Sequence, residues 1–362
     1  MKIVVTGTRG IPGIQGGVES HCEELYPLLV DDNHQVVVVR RKEYISKGYE
    51  TTEYRGVKIK DISCLKTKHF EAVIHTLLAV LYARFTNADV VHIHAIGPSI
   101  VVPFARLLGL KVVTTHHGPD YDRQKWGKFS KWILRLGEKW GAKYSNRVIV
   151  ISKHIKNIIN TKYPSQKQVH LIHNGVNLSC TSNSADYLKE LGLEKSSYIL
   201  AVGRFVEEKG FDLLVEAYKN IGCKEKLVIA GGADHESKYS LKLKEMAKEN
   251  GVILTGFIQK DKLSQLYSNT KLFVLPSYHE GLPIALLEAM NSKADVLVSD
   301  IPANTEVGLD KDCYFECGNI KSLEKQLTSK LSNESNKVEY DMSKYNWNYI
   351  AQQVKDVYDS LM

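Results

Sequence analysis

YILAVGRFVEEKGFDLLVEAYKN, residues 198–220, decides the fold of this chain. Its first residues form a short apolar run with no polar alternation, which reads as a strand buried on both faces of a parallel sheet. A loop of glycine and charged residues follows, and then the amphipathic helix expected over Phe211–Asn220. Strand, loop and helix in that order make half of a βαβ unit.

Outward from this unit the same alternation repeats. Toward the carboxyl end, KLVIAGG (226–232), VILTG (252–256), LFVLPS (272–277) and DVLVSD (295–300) are further strands, with helical segments between them. Toward the amino end, KIVVTG (2–7), QVVVVR (35–40), VKIKDI (57–62), DVVHIH (89–94), KVVTTH (111–116) and RVIVIS (147–152) form an earlier series. Amphipathic stretches at 18–30, 70–85 and 126–143 separate them. The first series stops near HLIHNGVN (170–177), at a turn-forming Asn-Gly pair. The expected architecture is α/β, with two doubly wound Rossmann-like domains, 1–175 and 176–344. The tail WNYIAQQVKDVYDSL reads as a helix with no strand after it, so helix 345–362 is expected to pack back on the first domain. In open α/β sheets ligands bind beyond the carboxyl ends of the strands, so two such domains face to face place two sets of loops across one cleft.

A chain of 362 residues suits two domains better than one core, and 43% apolar with 25% charged residues excludes disordered and fibrous classes. The apolar amino-terminal run is too short for a secretory leader, and no window approaches a spanning helix. Six cysteines, at positions 22, 64, 180, 223, 313 and 317, lack Cys-x-x-Cys spacing and read as reduced thiols. A cytoplasmic protein is expected. Residues 1–175 hold 26 Lys and Arg against 14 Asp and Glu, whereas the remainder holds 22 against 27. The basic first half points to an anionic partner.

The chemical motifs follow strands. In TGTRGIPGIQGGVES (6–20), Gly16 and Gly17 precede a helix expected to start near Val18, and helix N-terminal N–H groups bind phosphate. Thr6-Gly7-x-x-Gly10-x-x-Gly13 looks like a short-chain dehydrogenase fingerprint, and Tyr121-x-x-x-Lys125 mimics the catalytic pair of those enzymes. Pro12 and the extra loop through Gly17 count against that reading, as does a second complete α/β domain. In TTHHGPDYDR (114–123), His117 beside Gly118 points from a strand end and suits proton movement near neutral pH; His116 faces the sheet, and His92 and His94 read as core. The doublet leaves open which of His116 and His117 acts. In AVGRFVEEKG (201–210), Gly203 ends the strand. Arg204 and Lys209 then offer two cations suited to a diphosphate. In LPSYHEGLPIALLEAM (275–290), Pro283 at the first helical position leaves the N–H groups of Gly281 and Leu282 to an anion. Glu280 stands at the helix mouth and Glu288 about two turns inside, and carboxylates accept paired sugar hydroxyls.

Together these segments resemble glycosyltransferase family 4, the retaining enzymes with the GT-B fold, over nearly the whole chain. Glu280…Glu288 in EGLPIALLEAM and the GRFVEEKG stretch carry the likeness. MKIVVTGTRGIPGIQGGVE and HHGPDYDRQKWGKF further resemble a bacterial subset that builds surface polysaccharides. The resemblance implies that the carboxyl-terminal domain binds a nucleotide sugar as co-substrate and that the amino-terminal domain is the acceptor side. Gly17, Arg204 and Lys209 would bind the donor diphosphate, and His117 would hold the transferred sugar near its reacting carbon. Glu280 would grip the sugar hydroxyls and Glu288 the ribose. It also implies that the departing diphosphate takes the acceptor's proton, in place of the two carboxylates a retaining hydrolase needs. No Asp-x-Asp pair is read as a metal site, and no metal or other cofactor is expected.

Read as a helix, 125–147 gathers Lys128, Lys131, Arg135, Lys139 and Lys143 within an arc of roughly 120°. Trp126, Phe129, Ile133, Leu136 and Trp140 fill a neighbouring arc, with Trp132 among the cations. Such a face suits an anionic membrane surface and a lipid-linked acceptor; the alternative is a surface helix whose apolar arc packs on the sheet. Three rival functions remain: a nucleotide-sugar epimerase of the same fold, a non-catalytic sugar-nucleotide sensor, and a nucleic-acid binder. The last has no recognised motif, and nucleic acid is not an expected partner.

Overall fold

A computed structural model of the chain describes every residue except 46–47, 65–70, 123–126, 178–183, 234–235 and 334–336. The described residues form two compact units. Unit 1 comprises Met1–Gly175 and Lys344–Met362, and unit 2 comprises Val176–Ser343.

Unit 1 holds strands β1 (Lys2–Thr6), β2 (Gln35–Arg41), β3 (Glu53–Tyr54), β4 (Val57–Ile62), β5 (Val90–His94), β6 (Lys111–His116), β7 (Arg147–Val150) and β8 (Val169–Leu171). Its first helices are α1 (Gly17–Leu25), α2 (Glu71–Phe85), α3 (Val102–Leu107), α4 (Lys128–Tyr144) and α5 (Lys153–Lys162). The strands lie in the order β3-β4-β2-β1-β5-β6-β7-β8, parallel except for the β3–β4 pair. Alternate residues of one strand serve opposite faces, as the two-residue strand period requires. Ile3 and Val5 of β1 pack in the layer that includes Cys22 and Leu25 of α1, whereas Val4 packs with Ala79, Val80 and Ala83 of α2. Both faces are therefore apolar, which explains the uninterrupted valine run Val36–Val39.

Unit 2 holds β9 (Tyr198–Val202), β10 (Lys226–Ala230), β11 (Ile253–Gly256), β12 (Leu272–Leu275), β13 (Val296–Ser299) and β14 (Tyr314–Phe315), in the order β11-β10-β9-β12-β13-β14, all parallel. Its helices are α6 (Asp186–Glu190), α7 (Phe211–Ile221), α8 (Lys238–Glu249), α9 (Lys260–Asn269), α10 (Ile284–Asn291), α11 (Pro302–Thr305) and α12 (Ile320–Ser332). Helix α7 buries Phe211, Leu214 and Val215 against Ile199, Ala201 and Leu227, and stops at Gly222, whose φ of 58° lets its N–H reach back to the Tyr218 carbonyl.

The last helix, α13 (Trp347–Asp359), is built into unit 1. Ile350, Val354, Val357 and Tyr358 join the α1 layer. Lys355 pairs with Asp31 at 2.7 Å, and Asp359 accepts from His34 at 3.1 Å. Trp347 covers Gly175 so closely that a Cβ there would lie 2.4 Å from the indole.

Three strands were not expected from sequence: β3, β8 and β14. The first series thus holds one more strand, β8, and ends at Leu171, just before Asn174 as expected, and β3 makes the edge antiparallel. Where the strand order reverses, a crevice opens beyond the carboxyl ends of the two strands concerned. In unit 1 those strands are β1 and β5, and in unit 2 they are β9 and β12.

Candidate functional site

In unit 2 the loops after β9 and β12 carry Arg204, Lys209 and Glu280, so the reversal brings together residues far apart in sequence. The loop after β9 closes in a 3-10 turn, Glu207–Lys209, capped by Gly210 at φ 62°. A side chain at Gly210 would place its Cβ 2.4 Å from the Pro276 carbonyl, so only glycine lets the two loops touch. Tyr278 N–H donates to the Glu208 carbonyl at 2.8 Å and locks them in register. Lys209 Nζ consequently reaches Glu280 Oε1 at 2.5 Å, and Ser277 Oγ donates to the same oxygen at 2.7 Å. The ion pair is mostly buried, with side-chain exposures of 18% and 12%.

Arg204 follows Gly203 in the same loop and is half-buried. Gly281 is half-buried and Leu282 is buried at 3% exposure. Pro283 is the N-cap of α10, not its first residue, because its carbonyl receives the N–H groups of Leu286 and Leu287. Glu288 is therefore the fifth residue of α10, little more than one turn inside. Its Oε2 accepts from Tyr267 at 3.0 Å, a partner on α9 that sequence reading missed.

In unit 1 the β1 loop ends at Gly16, the N-cap of α1 with φ 146°, and the helix begins one residue earlier than expected, at Gly17. Gly17 has ordinary φ, and a Cβ added there would meet no protein atom within 4 Å. Neither backbone strain nor packing explains a glycine at this position.

His117 stands just past β6. Its Nε2 lies 2.9 Å from His94 Nδ1, the two rings stack at 5.2 Å, and His21 approaches edge-on at 5.2 Å. His94 and His92 are wholly buried, as a core reading implies, yet they continue a polar chain. Tyr26 bridges both, and His92 Nδ1 meets Tyr358 Oη of α13 at 2.6 Å. Burial, reinforced by neighbouring histidines, holds His117 and His94 well below the ordinary imidazole range, and His21 near 4 despite its hydrogen bond to Asn174. His117 is thus a neutral hydrogen-bonding group at pH 7.

His116 differs: buried, it lies 3.1 Å from Glu138 on α4. Tyr121 donates to the same carboxylate at 2.8 Å, and burial with that anion pushes its phenol far above the ordinary range. Such a phenol is unsuited to the proton transfer a dehydrogenase would ask of it. Lys125, its supposed partner, lies outside the described residues, as do Trp126, Cys180 and Phe70.

Helix α4 also departs from expectation. It buries Leu134, Gly137, Glu138, Gly141 and Ala142, not the arc of Phe129, Ile133, Leu136 and Trp140. Small residues let the helix approach closely, leaving Phe129 at 60% and Trp132 at 58% exposure, stacked at 6.2 Å beside exposed Lys128, Arg135, Lys139 and Lys143. The chain does contain two Asp-x-Asp spacings, at Asp120-Tyr121-Asp122 and Asp310-Lys311-Asp312. Asp312 pairs with Lys330 at 2.9 Å, and among the described residues no three His, Cys, Asp or Glu side chains converge as a metal cage.

Two family models match the chain. Glycosyltransferase Family 4 covers residues 15–179, and Glycosyl transferases group 1 covers 183–348. The chain is a glycosyltransferase with the GT-B fold. An uncharacterized glycosyltransferase of Methanocaldococcus jannaschii is 28% identical over 85% of this chain and 82% of its own length. The UDP-Gal:alpha-D-GlcNAc-diphosphoundecaprenol alpha-1,3-galactosyltransferase of Escherichia coli is 31% identical over 60% of this chain and 59% of its own. Among solved structures, sucrose-phosphate synthase from Thermosynechococcus elongatus superposes with TM-score 0.84, at 19% identity over 99% of this glycosyltransferase and 98% of that chain. Anabaena HepE in complex with UDP-glucose superposes at 0.80, with 17% identity over 99% and 100%. No helix among the described residues is long and apolar enough to cross a membrane.

Proposed function

We propose that this glycosyltransferase moves a sugar, with retention, from a nucleotide diphosphate sugar to an acceptor hydroxyl, and that the acceptor is a lipid-linked saccharide of a bacterial surface polysaccharide. The observation that carries the reading is the Lys209–Glu280 pair at the β9/β12 reversal of unit 2. A cation and a carboxylate held side by side suit the two ends of one ligand. Lys209 with Arg204 would neutralise the diphosphate, and Glu280 would accept hydrogen bonds from the sugar attached to it. Gly203, Gly281 and Leu282 supply backbone around the same ligand, and Glu288 takes the ribose, as the family resemblance implies.

From unit 1, Gly17 offers an uncrowded helix N-terminus to the diphosphate, with Gly16 as the turn that starts the helix. Neutral His117 offers a hydrogen bond to the transferred sugar. As the C–O bond to the diphosphate breaks, negative charge grows on the leaving oxygen. Lys209 and Arg204 stabilise it, and a diphosphate oxygen takes the proton of the incoming acceptor hydroxyl on the same face of the sugar. Positioning and charge stabilisation carry the rate, so no metal enters the proposal.

Support for the acceptor comes from the galactosyltransferase relative, whose name includes a diphosphoundecaprenol substrate. An amylovoran biosynthesis glycosyltransferase of Erwinia amylovora, 27% identical over 47% of this chain and 48% of its own, points the same way. The exposed Phe129–Trp132 pair among the cations of α4 suits an anionic bilayer surface, as on a cytoplasmic enzyme docked at the inner leaflet. A thermal-shift screen of nucleotide sugars tests the donor: a bound donor raises the melting temperature, and a flat response across UDP-, GDP-, ADP- and dTDP-sugars refutes the reading. A hit whose sugar epimerises without acceptor selects the epimerase instead.

A further inference from the structure

One buried charge stands apart from the donor chemistry. Glu138, with a side chain 1% exposed on the inner face of α4, accepts four hydrogen bonds. His116 Nε2 and Tyr121 Oη donate to Oε2 at 3.1 and 2.8 Å, while Lys162 Nζ and Tyr163 Oη donate to Oε1 at 3.2 and 3.0 Å. Burial alone would raise this carboxyl, but His116, Tyr121 and Lys162 outweigh it and hold the group near 2, so it is an anion.

His116 is pinned from the other side as well. Gly118 N–H donates to His116 Nδ1 at 3.1 Å. A ring nitrogen that accepts carries no proton, so the proton of His116 sits on Nε2 and faces Glu138. Full protonation would set two N–H groups against each other. The Gly118 nitrogen belongs to the peptide that follows His117. That bond therefore fixes the peptide plane on one side of His117, and the β6–β7 ladder at His116 fixes the other. Tyr121 anchors the turn beyond, where Asp120 N–H bonds the Gly118 carbonyl at 2.9 Å.

We infer that Glu138 is a positioning residue: through His116 it sets the tautomer and the peptide plane that aim the His117 imidazole. The inference rests on the reading that His117 meets the transferred sugar. Glu138→Gln probes it sharply. A glutamine keeps one acceptor oxygen; turned toward His116 it presents its NH2 to the Lys162 ammonium, and turned toward Lys162 it presents NH2 to the Nε2–H. Either way two donors meet and the His116 arrangement is lost.

The experiment combines turnover with imidazole nitrogen NMR on histidine-labelled protein. In wild type, His116 is expected as the Nε2–H tautomer. In Glu138→Gln its tautomer changes, the His117 ring signals move, and turnover at saturating donor falls on the order of 10- to 100-fold. The affinity for the nucleoside diphosphate of the donor selected by the thermal-shift screen stays within 2-fold of wild type. Tyr163→Phe removes a donor of the same carboxylate on the side away from His116, and should keep turnover within about 2-fold. A charged or Nδ1–H His116 in wild type overturns the inference, as does equal loss in Tyr163→Phe. If His117→Ala is inactive while Glu138→Gln turns over normally, the inference alone fails. If His117→Ala itself turns over normally, the assigned role of His117 fails first, and the inference with it.

Discussion

Lys209→Ala is the substitution on which the charge argument is most exposed. The ammonium lies 2.5 Å from Glu280 Oε1 and is 18% exposed, an environment between bulk water and dry interior. At an effective dielectric near 20, a cation about 3 Å from a full negative charge is worth roughly 5.5 kcal/mol. Only charge that appears during C–O cleavage accelerates the step, because charge already on the bound donor is stabilised equally in the ground state. With about half a unit developing on the leaving oxygen, the differential is about 2.7 kcal/mol, or ~100-fold in kcat. The assay is release of nucleoside diphosphate at saturating donor, paired with a melting curve to show that the variant is folded. Lys209→Arg, which keeps the charge but changes its reach, should fall between. Turnover of Lys209→Ala within about 3-fold of wild type refutes the assignment.

The remaining predictions concern charge, space, surface and metal. Glu280→Gln frees Lys209 from its anionic partner, so the nucleoside diphosphate of the donor that the screen selects should bind without its sugar roughly 10-fold tighter, about 1.4 kcal/mol, while turnover drops; calorimetry showing unchanged or weaker binding counts against the pair. Gly17→Ala meets no protein atom, so its melting temperature should hold or rise slightly, yet donor kcat/KM should fall at least 10-fold; wild-type kinetics would show that the space is not kept for a ligand. Reversing Lys139 and Lys143 to Glu should weaken binding to anionic vesicles by at least about 30-fold, since the two lost lysines alone account for about 1 kcal/mol each and the new carboxylates add repulsion. Absence of vesicle binding by wild type removes the membrane proposal. Excess EDTA should leave turnover intact, and activity that is lost and then restored by Mg2+ contradicts the metal-free account.

Short β-branched runs announce themselves; most are buried on both faces, whereas Val57–Ile62 alternates buried and exposed residues, and eleven were readable along the chain, from Lys2–Thr6 to Val296–Ser299. β3, β8 and β14 were not, since two or three residues carry no period and their side chains are partly exposed edge positions. Helix α4 misled for a different reason. Its large apolar residues suggested the packed arc, but close approach favours small ones, and the carbonyls of Ile96 and Gly97 lie against Gly137. The stripe of Gly137, Gly141 and Ala142 was the usable signal, and Glu138 within it was the residue to question.

Residue types at the site were legible while their partners were not, and strand order is the cause. Sequence places Lys209 after one strand and Glu280 after another, 71 residues on. Only the insertion of β12 beside β9, with β10 and β11 laid on the other side, makes those strand ends neighbours. The same holds in unit 1, where β1 and β5 adjoin across the reversal and bring His21 of α1 against His94 and His117. A histidine in a strand is more often a satisfied core group than a functional one, and taken singly His92 and His94 fit that description. Their significance is collective: hydrogen bonds and stacked rings carry the chain from Tyr358 of α13 to His117 at the strand end. A terminal helix docked on that chain is therefore part of how the loop after β6 is held, and loosening α13 should disturb His117 before it disturbs the sheet.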